Sequence, residues 1–219
     1  MIEGLFIALE GVDGAGTTTQ TKRLAEGLRA RGLPVHATRE PSDGPIGMLL
    51  RQILTNRVVV PGIRGPRPPS WTTMALLFAA DRLDHVEAEI QPNLLDGVTV
   101  LSDRYDHSSV AYQSITGGGE AETLAWVKQL NVHARRPDLT LVLDISPEEA
   151  RRRRVERGRG REIYDDQELQ EQLAAFYGDI EKHFPDDRIV HVDGEQSVEA
   201  VAKDVMREVR ILRGEDPDG

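Results

Sequence analysis

The stretch Gly11-Val12-Asp13-Gly14-Ala15-Gly16-Thr17-Thr18 restricts the fold of this chain more than any other feature. It follows the apolar run Leu5-Phe6-Ile7-Ala8-Leu9 and opens a segment, 17–31, with helical spacing and Leu24 and Leu28 on one face. Glycines at both ends let the backbone curl tightly and turn its N–H groups inward, while the helix N-terminus behind adds positive potential. Strand, loop and helix together form an anion cradle, and the hydroxyl at Thr18 stands where such loops ligate Mg²⁺. The full pattern is G-x-x-x-x-G-K-[ST], and this chain has Thr17 at the lysine position. From these residues alone, the loop fits a phosphate cradle or a glycine-rich β–α turn that holds nothing.

The absent lysine has a measurable weight. One hydrogen bond to a charged group contributes about 1.5–3 kcal/mol. If the charge acts only on a transferring phosphoryl group, the loss is nearer the roughly 10³–10⁵-fold of an arginine finger. Thr17 therefore marks either a slow or inactive protein, or one in which another cation takes over.

The rest of the chain alternates strand-like and helix-like runs. Val98–Leu101 and Leu139–Leu143 are continuously apolar, as strands buried on both faces of a parallel sheet are, with Val35–Thr38 and Arg188–Val192 as weaker runs of the same kind. Helical spacing covers 71–95, with an interruption expected at Pro92, and 120–133, 147–157, 166–183 and 197–212. Ser146 before Pro147 predicts a capped helix start. The alternation predicts an α/β fold, a doubly wound five-stranded parallel sheet flanked by helices, with ligands beyond the carboxyl ends of the strands. The segment 56–70, with four prolines and two glycines, reads as an irregular loop. A single domain over 1–213 and a polar tail over 214–219 are expected.

The 39% hydrophobic content of the 219 residues suffices for one core of ordinary size. No run approaches the ~18 apolar residues of a membrane span, and Met1-Ile2-Glu3-Gly4 leads into a strand without a signal-peptide pattern. The chain has no cysteine, which excludes disulfides and thiolate metal sites and fits a cytoplasmic protein. A net charge of -10 argues against a nucleic-acid partner, because phosphate backbones are held by basic surfaces. An anion site must then concentrate its positive charge locally. Arg151, Arg152, Arg153, Arg154, Arg157, Arg159 and Arg161 do so, with Gly158 and Gly160 between the later ones. The first half fits a solvated helix face paired with Glu148, Glu149 and Glu156. The glycine-spaced half reads as a mobile lid, about 151–165, able to close guanidinium forks on phosphate oxygens.

Taken in order, several motifs together carry a family likeness. They are Glu10-Gly11-Val12-Asp13-Gly14-Ala15-Gly16, Thr38-Arg39-Glu40-Pro41, Phe78-Ala79-Ala80-Asp81-Arg82, Asp103-Arg104-Tyr105, Ala111-Tyr112-Gln113 and Arg136-Pro137-Asp138-Leu139-Thr140, then the lid arginines and Val192-Asp193-Gly194. With these the chain resembles bacterial thymidylate kinases from Leu5 to about Val209. The resemblance implies a P-loop kinase fold and transfer of the ATP γ-phosphoryl group to dTMP, with Mg²⁺ as cofactor and a homodimer as the assembly. It implies that Gly11, Val12, Asp13, Gly14, Ala15, Gly16, Thr17, Thr18 and Thr19 hold the ATP phosphates, with Gly194, Glu195 and Gln196 beside adenine. Asp13 would approach the sugar 3′-hydroxyl and the reacting phosphates. Phe78 would stack on thymine and Arg82, one turn later on the same helical face, would hydrogen-bond it.

The same likeness has Arg104 grip the acceptor phosphate, while Thr18 and, through water, Asp103 hold Mg²⁺. Tyr112 would pack under the deoxyribose and disfavour a 2′-hydroxyl, with Ser108, Ser109 and Gln113 beside base and sugar. Ser109 falls where many family members carry asparagine or threonine. Glu40 and Arg51 are further pocket candidates. Arg153, Arg157 and Arg161 would bring charge to the transition state, and one lid arginine, Arg159 included, would cover for the missing lysine. The Pro-rich insert before Trp71 and Thr17 depart from the family pattern. Two other readings follow from the same residues: a kinase for another pyrimidine nucleotide or a deoxynucleoside, and a degenerate, non-catalytic nucleotide-binding protein.

Overall fold

The computed structural model describes residues 3–158, 163–164 and 166–217, with Arg157 through its backbone alone. The apolar runs form a sheet whose strands are β1 (Phe6–Glu10), β2 (Val35–Arg39), β3 (Thr99–Asp103), β4 (Leu139–Asp144) and β5 (Ile189–Asp193). All neighbours pair in parallel in the order β2-β3-β1-β4-β5, as strand–helix alternation predicts. β1 lies at the centre and is buried at every position. That is why it reads as an unbroken apolar run, except for Glu10 at its carboxyl end. The register sets Leu9 beside Asp103 and Glu10 beside Val142, so three strand ends open onto one edge.

The helices are α1 (Thr17–Ala30), α2 (Pro45–Leu54), α3 (Trp71–His85), α4 (Gln91–Leu95), α5 (Asp106–Thr116), α6 (Ala121–Leu130), α7 (Pro147–Arg157), α8 (Gln167–Gly178), α9 (Ile180–His183) and α10 (Val198–Leu212). α10 buries Val201, Val205 and Val209, one side chain per turn, and packs with α1, which buries Leu24 and Leu28. The main core lies between the sheet and these elements, with Tyr177 of α8 and Val192 of β5 in it. Ser146 caps α7 by accepting from the Glu149 N–H, as its position before Pro147 predicts.

Several expectations need correction. Pro92 does not interrupt the helix. The backbone winds from Trp71 to Leu95 through a π-helical turn at Val86–Ile90, in which the Gln91 N–H reaches the Val86 carbonyl. The wider turn makes room for a ring that would strike the carbonyl four residues back in a regular α-helix. The segment 166–183 is two helices, separated at Asp179. α2 and α5 are present where no helix was predicted. The Pro-rich segment is irregular as expected, apart from one antiparallel bridge between Val60 and Arg67.

Candidate active site

The glycine loop leaves β1 and wraps onto the N-terminus of α1. Gly11, Gly14 and Gly16 have φ of 151°, 102° and 99°, which L side chains rarely adopt, and Gly16 is the N-cap of α1. Val12 and Ala15 are buried beneath the loop, and Thr17 is buried in the first helical turn. Thr18 Oγ1 donates to Asp103 Oδ2 at the end of β3. Asp103 Oδ1 is buried with no hydrogen-bond partner among the described residues. A hydroxyl and an under-satisfied carboxylate at an anion loop are the hard oxygen donors that suit Mg²⁺. Among the described residues no group of three His, Cys, Asp or Glu could hold a metal. Mg²⁺ does not require one, since it relies on a protein oxygen or two, water and substrate phosphates.

Arg104 follows Asp103 in a left-handed backbone, φ 71°. Non-glycine residues in that region carry roughly 1–3 kcal/mol of strain and gather at functional sites. Its guanidinium donates to the Gly11 carbonyl at 2.8 Å, to Ser108 Oγ at 3.1 Å and to Asp13 Oδ1 at 2.6 Å. Burial opposes this charge, but Tyr112, Asp13, Tyr177 and Glu10 around it raise its affinity for the proton well above the usual value. Beneath it, Glu10 accepts from the Tyr105 and Ser108 N–H groups and from the hydroxyls of Ser108 and Tyr177. Burial raises the Glu10 pKa, against the pull of His107 and Arg104 and of its hydrogen bonds.

Two clefts meet at this point. The first runs along the loop and is lined by Gly14, Gly16, Thr17, Thr18 and Thr19 with Arg39, Arg51 and Asp103. The second is lined by Phe78, Arg82, Tyr105, Ser108, Ser109, Tyr112, Gln113 and Tyr164. Asp13, Glu40, Pro41, Leu54 and Arg104 border both. An aromatic-walled pocket therefore opens onto an anion loop, with two carboxylates, Asp13 and Glu40, and one guanidinium at the junction.

The rear of the pocket is a buried polar network. Arg82 Nη2 donates to Glu40 Oε2 at 2.5 Å, to Ser109 Oγ at 2.9 Å and to the Tyr105 carbonyl at 3.2 Å, while Nη1 donates to Asn131. Its Nε is buried without a partner among the described residues. Tyr112 lies with its ring centroid 5.7 Å from Arg104 Cζ. Tyr164 stacks edge-on to Tyr112 at 5.2 Å and its hydroxyl accepts from Gln113 Nε2. Burial pushes the Tyr164 hydroxyl up to about 12, so it stays protonated at neutral pH.

A family model described as thymidylate kinase matches residues 9–205. The chain belongs to the thymidylate kinase family. It is 40% identical over 209 residues to a probable thymidylate kinase of Pyrococcus horikoshii, covering 95% of this chain and 97% of that protein. It is 38% identical over 203 residues to a thymidylate kinase of Symbiobacterium thermophilum, covering 93% and 91%. A thymidylate kinase of Desulfotalea psychrophila is 38% identical over 211 residues, covering 95% and 96%. The family accounts for the parallel sheet, the glycine loop and the kinase chemistry together.

Most residues that the thymidylate kinase likeness singled out come together here. Asp13, Glu40, Phe78, Arg82, Arg104, Ser108, Ser109, Tyr112 and Gln113 line the aromatic pocket, and Arg51 lines the phosphate cleft. Others lie apart. Gly194 follows β5, its N–H on the Asp144 carbonyl, and Gln196 turns its amide to Asp204 and the Asp193 carbonyl. Arg153 bonds Glu149 and the Gly194 carbonyl, away from both clefts. Arg159 and Arg161, and the side chain of Arg157, lie outside the described residues. Sequence reasoning missed the roles of Glu10, Tyr105 and Tyr164. Glu10 and Tyr105 sit inside quoted motifs, and an acidic residue ending an apolar strand was a readable signal. Tyr164 carried none.

Proposed function

We propose that this protein transfers the γ-phosphoryl group of ATP to dTMP, giving dTDP and ADP. The observation that carries the reading is the junction of the aromatic pocket with the phosphate loop at Asp13 and Arg104, in a member of this family. A pyrimidine enters between Phe78 and Tyr112 with its 5′-phosphate directed at Arg104. An acceptor-phosphate oxygen attacks the γ-phosphorus as the bond to the β–γ bridging oxygen breaks and ADP leaves. No covalent enzyme intermediate is needed, because in-line positioning and neutralisation of charge do the work. Arg104 neutralises the acceptor phosphate and Asp13 orients sugar and phosphate. The loop N–H groups hold the ATP phosphates, with Gly194 and Gln196 beside adenine. Thr18 and, through water, Asp103 would hold Mg²⁺, which when bound would supply charge neutralisation at the ATP phosphates.

Thr17 stands where loops of this kind carry lysine, and the compensating charge comes from the lid, 151–165, as in the bacterial arrangement. The chain is read as one domain over 1–213 with a polar tail over 214–219. Among the described residues no helix is long and apolar enough to cross a membrane, and a cytoplasmic location fits. The family resemblance supports a homodimer, checked by light scattering. The reading is tested by ADP release with dTMP, dUMP, UMP, dCMP and thymidine. Turnover with dTMP at least tenfold above the others supports it. MgATP binding without turnover would favour the non-catalytic reading that Thr17 raises.

A further inference from the structure

The proposed reaction needs a cation at the donor phosphates, and Thr17 offers none. Arg104 is engaged on the acceptor side, through Gly11, Asp13 and Ser108. Arg39 and Arg51 line the phosphate cleft, but both are paired with Asp43. Among the described residues the further candidates are on α7. Arg151 is exposed, Arg152 pairs with Glu149 and Glu156, and Arg153 bonds Glu149 and the Gly194 carbonyl. Arg154 faces the loop. Its Nη1 donates to the Asp13 carbonyl at 2.7 Å and lies 3.3 Å from Gln170 Oε1.

The position is built rather than incidental. A Cβ added at Gly14 would fall 2.6 Å from the Ala150 carbonyl, so the backbone of α7 is docked directly on the phosphate loop. Ala150 and Arg154 are one turn apart on the same helical face, and the docked turn delivers the guanidinium to the loop rim. Gln170 is 1% exposed and donates through Nε2 to the Tyr164 carbonyl at 2.9 Å. That bond turns its amide oxygen toward Arg154. A lysine carries a point charge, whereas the guanidinium is a planar fork with five donors. One of its nitrogens can rest on a loop carbonyl while the fork still serves phosphate oxygens.

We propose that Arg154, reaching the phosphate loop from α7, takes the place of the loop lysine and binds the β- and γ-phosphate oxygens of ATP. The inference rests on the dTMP kinase reading and names the residue that completes it, in place of Arg153, Arg157, Arg159 or Arg161.

The test is a cycle of Arg154→Gln, Thr17→Lys and the double variant, with Arg154→Lys as a fourth protein. Glutamine keeps an N–H for the Asp13 carbonyl and removes the charge, so the loop stays anchored. Thermal unfolding checks that each variant folds. The readouts are kcat for dTMP phosphorylation and, independently, the Kd for MgADP and MgATP. Arg154→Gln is expected to weaken nucleotide binding about tenfold and to lower kcat about a hundredfold, with Arg154→Lys between it and wild type. Thr17→Lys should restore most of the loss when combined with Arg154→Gln and add little to wild type. Arg154→Gln within threefold of wild type in both readouts overturns the proposal, as does an equal loss from Arg154→Gln whether or not Thr17→Lys is present. A wild type that binds MgATP but does not turn over dTMP overturns the proposed reaction instead, and the nucleotide Kd cycle then decides the role of Arg154 alone.

Discussion

Arg82 of α3 and Glu40, just after β2, form an ion pair at 2.5 Å with side chains 1% and 3% exposed. Two charges this deep in the protein are tolerable only together, and removing one strands the other. Glu40→Gln is therefore expected to lower unfolding stability by about 3 kcal/mol, read by urea titration. Arg82 would lose the carboxylate that aims it at the pocket, so KM for dTMP should rise by about tenfold or more while KM for ATP stays near wild type. Equal changes in both KM values would contradict the reading that Glu40 acts through Arg82, which lines the base pocket alone.

Tyr112 bears on selectivity through its place between Arg104 and Tyr164. Its ring closes the pocket on the side next to the Asp13–Arg104 junction, where a sugar must lie if the phosphate is to reach Arg104. Discrimination by apolar shape is modest, roughly 10–200-fold. Tyr112→Ala is expected to lower kcat/KM for dTMP by about that much and for UMP by less, narrowing the ratio between them. A ratio unchanged by the substitution would remove Tyr112 from ribose discrimination.

Asp187 predicts an acid limb in stability. It accepts from His107 Nε2 at 2.9 Å and pairs with Arg136, which also pairs with Asp106. Burial alone would raise its pKa, but the hydrogen bonds from His107 and Arg136 prevail and hold it at about 2, below the ordinary 3.8. The unfolded chain therefore binds this proton more readily than the folded one. The stabilisation is complete above about pH 4 and lost as pH falls through about 2. Discounted for solvent screening, it amounts to about 1 kcal/mol. Urea midpoints from pH 2 to 5 should show this limb in wild type and a flatter one in Asp187→Asn.

How far the site could be read in the chain depended on what each residue does locally. The inner strands β1, β3 and β4 and the glycine loop announce themselves, because burial on both faces leaves an apolar run and a positive φ demands glycine. α5 did not. It buries Asp106, His107, Ser109, Gln113 and Ser114 along with Val110, Ala111 and Tyr112, so no apolar face alternates with a polar one. Those polar side chains are buried by the pocket they line and by the Arg136 network, a tertiary fact without local periodicity. α2 is short and opens on Gly44-Pro45, which reads equally as a turn. Arg154 was hidden for a related reason. Its neighbours Arg152 and Arg153 do form the ion pairs of an ordinary charged face, and only the docking of Ala150 against Gly14 distinguishes the next position.

That docking gives the sharpest local prediction. Gly14 and Gly16 have nearly equal φ, 102° and 99°, so alanine at either meets the same left-handed strain, roughly 1–2 kcal/mol. Their surroundings differ. A Cβ at Gly16 meets nothing within 4 Å, whereas one at Gly14 lies 2.6 Å from the Ala150 carbonyl, a backbone atom that cannot rotate away. Gly16→Ala should therefore cost that strain alone, visible as a loss of thermal stability with nucleotide binding reduced by about tenfold at most. Gly14→Ala must in addition push α7 off the loop and carry Arg154 with it. Its affinity for MgATP should fall by a further factor of about ten, measured by fluorescent-nucleotide displacement. The extra loss should vanish in an Arg154→Gln background, where there is no longer a charge to misplace. If Gly14→Ala and Gly16→Ala weaken nucleotide binding equally, the contact between α7 and the loop has no part in holding ATP.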